Sequence, residues 1–93
     1  MSEREYLIIK LMEEAAELQQ ACSKALLFGL EDKRNENIPT NEENINLEFN
    51  DVLGVARMLG SYVDISEEEE LIQKKIIKVT RYMEYSKDKE IVE

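Results

Sequence analysis

Two short groups of acidic residues are the features of this sequence that could do chemistry. The first is the segment 13–17, Glu-Glu-Ala-Ala-Glu, and the second is the segment 48–51, Glu-Phe-Asn-Asp. In each group the acids are three or four residues apart, which places them on one side of a helix. Two such helical turns facing each other would offer several carboxylates to Mg²⁺, which prefers oxygen ligands and also binds substrate phosphates.

The absence of histidine narrows the possible chemistry further. Histidine is the commonest general base and a common metal ligand, and none occurs among the 93 residues. Any reaction must therefore use carboxylates, lysines, arginines and water. The single cysteine, Cys22, has no partner for an internal disulfide, which fits a reducing compartment.

Three helices are predicted to position these acids, because helix formers dominate the sequence and no strand-like alternation persists. The first is predicted from about residue 3 to 28, with Gly29 directly after it as a C-terminal cap. The second follows a capping box formed by Thr40 and Glu43 and extends to about Tyr62.

The third helix is predicted to follow a second capping box, Ser66 with Glu69, and to run to about Tyr85. The charged residues 86–93 after it are expected to fray. Apolar residues at helical spacing define one inward face per helix. These faces comprise Leu7, Leu11, Ala15, Leu18, Cys22 and Ala25, then Ile45, Phe49, Val52, Ala56, Leu59 and Val63, then Ile72, Ile76, Val79 and Met83.

Glu48 is predicted to project from the second helix on the same side as the apolar residues, and this position favours a cation bound there. At about 100° per residue, Glu48 falls within the apolar stripe and Asp51 lies at its edge, while Glu14 borders the face of the first helix. An ionised carboxylate facing a core is costly unless it is paired or holds a metal. Two other interpretations stay open, a solvated acidic face and a buried salt bridge from Glu48 to Lys24 or to a lysine of the third helix.

Composition limits the partners. The chain carries 21 acidic and 12 basic residues, a net charge of −9, which disfavours binding to nucleic acid or to an anionic membrane. No apolar run approaches the roughly 20 residues that span a bilayer, and the N-terminus lacks a signal pattern. We therefore expect a single cytoplasmic domain over residues 1–93. A chain this short has a thin core, which a second subunit would help to complete.

The acidic motifs and their surroundings resemble the MazG-like all-α nucleoside triphosphate pyrophosphohydrolases. The family signature, Glu-Glu-x-x-Glu followed by Glu-x-x-Asp, corresponds here to Glu13, Glu14 and Glu17, and then to Glu48 and Asp51. The segments 23–30, 41–43, 57–59 and 78–87 are also similar to small, often phage-encoded members. The resemblance covers roughly residues 6–87.

This resemblance implies a helical bundle that is completed as a homodimer or homotetramer. It further implies Mg²⁺-dependent cleavage of a nucleoside triphosphate to the monophosphate and pyrophosphate, with Mn²⁺ as an alternative ion. The implied metal ligands and catalytic acids are Glu14, Glu17, Glu48 and Asp51, supported by Glu13, and the weaker phosphate-binding candidates are Lys24 and Lys78.

Two departures from the family pattern affect the expected phosphate contacts. The stretch between the two motifs is longer than in compact members, and Leu27 stands where a basic residue is expected.

Two alternative functions remain. One is a phosphoribosyl-ATP pyrophosphohydrolase, which uses similar acids on another substrate, and the other is a non-catalytic helical interaction protein. Glu48 on an apolar stripe argues against the second alternative, because an interaction protein has no evident use for it there.

Overall fold

The fold is all-α with three main helices, as the sequence predicts. A computed structural model describes residues 1–93 and contains α1 (Glu3–Phe28), α2 (Asn41–Leu59) and α3 (Glu69–Asp88), with no strand. None of the three helices combines the length and the apolar character that crossing a bilayer requires.

The bounds of α1 agree with the prediction because both of its ends depend on local interactions. The Ser2 side chain accepts a hydrogen bond from the backbone N–H of Glu5 at 3.1 Å, which caps the N-terminus. Gly29 ends the helix with a φ of 96°, in the region that glycine adopts without a steric penalty.

The N-terminus of α2 is also as predicted. The Thr40 hydroxyl accepts from the Glu43 N–H at 3.1 Å, and the Glu43 carboxylate accepts from the Thr40 N–H at 3.2 Å, which completes the capping box. The helix ends at Leu59 rather than near Tyr62, because Gly60 begins a turn in which the N–H of Tyr62 bonds to the Leu59 carbonyl.

Helices α1 and α2 form an antiparallel hairpin. At its closed end the Asn41 side chain donates to the Gly29 carbonyl at 2.8 Å, and the Asn41 N–H donates to the Asp32 carbonyl at 2.9 Å. At its open end the Tyr62 hydroxyl donates to the Glu3 carboxylate. The start of α1 therefore lies beside the end of α2, and the two acidic segments meet near the middle of the hairpin.

The hairpin has a thin core, and part of the predicted inward face is wrong. Only Leu7, Ala21 and Leu59 are buried. Ala15 and Cys22, predicted inward, are exposed, because the buried stripe of α1 is rotated toward Ala21. Phe49 on α2 is also exposed rather than buried, and so are the residues predicted inward on the third helix, Ile72, Ile76, Val79 and Met83. Glu48, predicted within the apolar stripe, and Glu14, predicted at its border, are half-buried, as expected.

Helix α3 stands apart from the hairpin. No Cα of α3 lies within 8 Å of a Cα of α1 or α2, and none of its residues is buried. The predicted capping box of Ser66 and Glu69 is wrong, since α3 begins at Glu69 after Glu68 and has no side-chain cap. The helix also extends to Asp88, three residues beyond the predicted end at Tyr85. Residues 86–88 of the predicted frayed tail are therefore helical.

Candidate metal centre

Three of the predicted site residues converge across the hairpin. Glu14 and Glu17 lie one turn apart on α1, and Glu48 faces them from α2. One carboxylate oxygen from each of the three lies within 4.8 Å of the others. We call Glu14, Glu17 and Glu48 the carboxylate cluster.

The burial of this cluster leaves two acceptors without partners. Glu14 and Glu48 are half-buried, and the Oε2 atom of each is enclosed and accepts no hydrogen bond. Glu17 is exposed at the rim. Because buried polar atoms are nearly always hydrogen-bonded, two unpaired carboxylate oxygens at one place require an explanation. A cation between them would satisfy both.

The electrostatics of the cluster are unfavourable without a cation. Burial raises the pKa of Glu14, and the negative charges of Glu17, Asp51 and Glu48 raise it further. Burial likewise raises the pKa of Glu48, with Glu17 and Asp51 adding to the effect. The ion pairs of the chain all join residues three or four positions apart, and none includes Glu48. The alternative of a salt bridge from Glu48 to a lysine is therefore wrong within one chain.

Asp51 and Glu13 lie outside the cluster. Asp51 is exposed on α2, one turn after Glu48, and its charge is close enough to raise the pKa of both Glu14 and Glu48. Glu13 is exposed and pairs with Lys10, whose Nζ lies 2.9 Å from its carboxylate. Asp51 thus adds negative charge near the cluster without being one of the converging carboxylates, whereas Glu13 belongs to the outer surface of α1.

The two predicted phosphate-binding lysines lie in different places. Lys24 is on α1, two turns after Glu17, and lines a cavity of about 490 Å³ at the closed end of the hairpin. Lys78 lies on α3, which does not contact the hairpin, so one chain does not bring it to the cluster. Leu27 is exposed on the last turn of α1.

Two further basic residues in this region were not among the predicted site residues. Lys33 and Arg34 line the same cavity as Lys24. They are adjacent in the sequence, within a loop whose other charged and polar residues are mostly acids and amides. This local pair of positive charges was the feature of the sequence that could have indicated them as candidates. The sequence did not show that they lie beside Lys24, because only the fold of the loop brings the three bases together.

The donor set of the cluster fits a hard divalent cation. All of its ligand atoms are carboxylate oxygens, and neither an imidazole nor a thiolate takes part. Oxygen-only sites suit Mg²⁺ or Mn²⁺ rather than the softer transition metals. The enclosed Oε2 atoms of Glu14 and Glu48 are the atoms that such a cation would satisfy.

The raised pKa values predict how stability depends on pH. Because the folded-state pKa of Glu14 and of Glu48 lies above its unfolded value, their protonation favours folding, and this contribution is lost as the pH rises through the folded pKa. Without metal, wild-type protein should therefore lose more stability as the pH rises above 4.5, the ordinary pKa of a glutamate, than the Glu14→Gln/Glu48→Gln variant does. Thermal unfolding monitored by circular dichroism in EDTA tests this, and identical pH profiles would contradict it.

The resemblance of the acidic motifs has no support from similarity of the whole chain. The chain matches no protein-family model, no curated protein and no solved structure.

Proposed function

We propose that the protein is a Mg²⁺-dependent nucleoside triphosphate pyrophosphohydrolase, with Mn²⁺ as an alternative ion. The observation that supports this proposal is the carboxylate cluster, in which two enclosed oxygens from facing helices have no partner. The resemblance of the two acidic motifs to MazG-like enzymes supplies the reaction, cleavage between the α- and β-phosphates.

In this proposal the carboxylates bind the cation and also accept a proton. Glu14, Glu17 and Glu48 would hold the cation, and the resemblance adds Asp51 as a fourth ligand, whose charge acts on Glu14 and Glu48. The cation, when bound, would supply the positive charge that neutralises the triphosphate. The oxygen of a water attacks the α-phosphorus, the bond to the bridging α–β oxygen breaks, and pyrophosphate leaves with that oxygen. Since the chain has no histidine, a carboxylate of Glu14, Glu17 or Glu48 accepts the proton of the water. Glu13, which the resemblance also offers as a base, lies on the outer surface and pairs with Lys10.

A panel assay tests the reaction class. Purified protein is incubated with canonical and modified nucleoside triphosphates and with phosphoribosyl-ATP, in Mg²⁺ and in EDTA, and pyrophosphate and orthophosphate are measured separately. Metal-dependent release of pyrophosphate and monophosphate is expected. Turnover of phosphoribosyl-ATP alone would identify the other pyrophosphohydrolase class. No turnover, together with no Mg²⁺ binding by calorimetry, would favour a helical interaction protein.

We further propose that a second copy of the chain covers α3. Most of the stability of a protein helix comes from tertiary packing of its apolar face, and α3 makes no such contact within the chain, so α3 needs a surface to pack against. The residues Ile72, Ile76, Val79 and Met83 form a stripe within about 60° on the helix surface, and all four are exposed. The stripe is therefore the surface that we expect a partner to bury.

The charges of the chain favour its own hairpin as that partner. Residues 1–60 carry twelve acids and six bases, whereas residues 71–83 carry four bases and no acid. The whole of α3 is nearly neutral, with five bases and four acids, but its bases are concentrated in this middle part. A basic middle part with an apolar stripe complements an acidic hairpin with a thin core. Exchange of α3 between two copies satisfies both surfaces, and a homodimer or homotetramer results.

A further inference from the structure

A second group of charged side chains lies at the closed end of the hairpin, apart from the carboxylate cluster. The connection between α1 and α2 folds there over a cavity of about 490 Å³. Three bases, Lys24, Lys33 and Arg34, line this cavity together with a single acid, Asp32. A net positive lining is unexpected in a chain whose net charge is −9. We call Lys24, Lys33 and Arg34 the basic cavity.

The loop that carries two of these bases is held in place by hydrogen bonds to α2. The Asn41 side chain donates to the Gly29 carbonyl at 2.8 Å, and the N–H groups of Asn41 and Glu42 donate to the carbonyls of Asp32 and Leu30, each at 2.9 Å. The loop is therefore tied to the start of α2 at several points. These hydrogen bonds fix the path of the loop backbone, and so they fix the positions from which the Lys33 and Arg34 side chains extend.

The bases of this cavity are available to an anion. Lys24 and Arg34 take part in no ion pair. Lys33 pairs with Glu36 at 3.5 Å, but the Glu36 side chain is 94% exposed. Exposed pairs of this kind contribute little, so Lys33 can exchange Glu36 for a stronger anionic partner. The charge of Lys33 also helps to lower the pKa of Glu43, after the hydrogen bonds of Glu43 to Thr40, and Lys33 makes no ion pair with it.

The position of the cavity relates it to the carboxylate cluster. Lys24 follows Glu17 by seven residues on α1, and Asn44, which also lines the cavity, precedes Glu48 by one turn on α2. Residues at these spacings lie on one side of a helix. The cavity and the cluster therefore open along the same side of the hairpin, about 10 Å apart along α1 at 1.5 Å per residue.

We propose that the basic cavity binds the terminal phosphates of the substrate and then holds the departing pyrophosphate. This inference rests on the proposed function, since it names the subsite for the leaving group of that reaction. Lysine and arginine are the side chains that neutralise phosphate chains, and a guanidinium can contact two phosphate oxygens at once. With the α-phosphate at the cluster, the β- and γ-phosphates extend toward Lys24, Lys33 and Arg34.

The experiment measures the binding of inorganic pyrophosphate to the full chain by calorimetry in EDTA. Without metal the carboxylate cluster repels anions, so the measurement reports on the basic cavity. We expect wild type to bind pyrophosphate, and the Lys33→Ala/Arg34→Ala variant to bind it about tenfold or more weakly through the loss of charge-assisted hydrogen bonds. The control, Lys87→Ala/Lys89→Ala, also removes two positive charges but lies at the end of α3, and it should bind as wild type does.

Several results would overturn the proposal. They are undetectable binding to wild type, equal weakening in both double variants, and an affinity for inorganic sulfate that equals the affinity for pyrophosphate. A second variant, Lys33→Gln/Arg34→Gln, retains most of the side-chain stems and must show the same loss, while circular dichroism confirms that the helices are intact.

The same variants separate this inference from the proposed function. Pyrophosphate binding that depends on Lys33 and Arg34, in a protein that hydrolyses no triphosphate, would support the cavity and refute the enzyme. Hydrolysis with a KM for the triphosphate that is unchanged in Lys33→Ala/Arg34→Ala would support the enzyme and refute the cavity. If both proposals hold, the KM rises about tenfold in this variant and stays unchanged in the Lys87→Ala/Lys89→Ala control.

Discussion

Replacing Glu48 with glutamine should lower the turnover of nucleoside triphosphate about 100-fold or more, because it removes a ligand from the oxygen set that holds the metal. Glutamine retains the shape of the side chain and removes its charge, so the hairpin should still fold. The measurement is the rate of pyrophosphate release at saturating Mg²⁺, together with Mg²⁺ affinity from calorimetry. Both should fall in the variant.

The same substitution should have the opposite effect on the stability of the metal-free protein. Burial and the charges of Glu17 and Asp51 raise the pKa of Glu48, so its ionised form is unfavourable at neutral pH without a cation. The neutral amide removes that repulsion. In EDTA we therefore expect Glu48→Gln to unfold at a higher temperature than wild type. In Mg²⁺ we expect the variant to unfold at a lower temperature than wild type, because the ion stabilises wild type more. A purely structural role for Glu48 would not produce this reversal.

Glu42→Gln is the matched control for this experiment. Glu42 is an exposed glutamate on the first turn of α2, on the same helix as Glu48, and the substitution changes the net charge by the same amount. Its turnover and Mg²⁺ affinity should equal those of wild type. Retention of wild-type turnover by Glu48→Gln, or an equal loss in both variants, would refute the assignment of the carboxylate cluster.

Replacing Ile76 with aspartate should dissociate the oligomer. Ile76 lies within the apolar stripe of α3, and an unpaired carboxylate buried in an interface would weaken association by roughly 100-fold or more. Sedimentation equilibrium should show wild type as a dimer or tetramer and Ile76→Asp as a monomer. Because α3 has no partner within its own chain, the far-ultraviolet circular dichroism of the variant should also show a loss of helix.

Ile77→Asp is a demanding control, because exposure alone does not distinguish the two positions. Ile76 is 49% exposed and Ile77 is 53% exposed in the single chain. They differ by about 100° in direction on the helix, and Ile77 lies off the stripe. We expect Ile77→Asp to remain oligomeric. A monomeric wild type, or equal dissociation in both variants, would contradict the assignment of the stripe as the interface.

Local interactions explain why the sequence predicted the helices well. Helix α1 begins and ends where predicted because the cap at Ser2 and the turn at Gly29 involve residues close together in the chain. The Thr40–Glu43 capping box is equally local and was also predicted. The N-terminus of α3 was missed because Ser66 and Glu69 have the composition of a capping box, but the helix begins only at Glu69 and has no side-chain cap.

The candidate site was predicted partly from local periodicity. Placing Glu48 on the apolar stripe of α2 required only the residue spacing of one helix, and the half-buried side chain with an enclosed oxygen confirms that placement. The convergence of Glu14, Glu17 and Glu48 to within 4.8 Å required the rotation of α1 about its own axis. That rotation follows from which small side chain packs inward, Ala21 rather than Cys22, and spacing did not distinguish between them.

The sequence by itself determined the number of helices, their approximate bounds and the acidic character of the two motifs, since these depend on side chains within a few turns of one another. Only the tertiary structure decided that α3 packs on neither α1 nor α2 and that Lys33 and Arg34 lie beside Lys24. Both outcomes depend on contacts between residues far apart in the chain, whose free energies are set by the relative orientation of whole helices and loops.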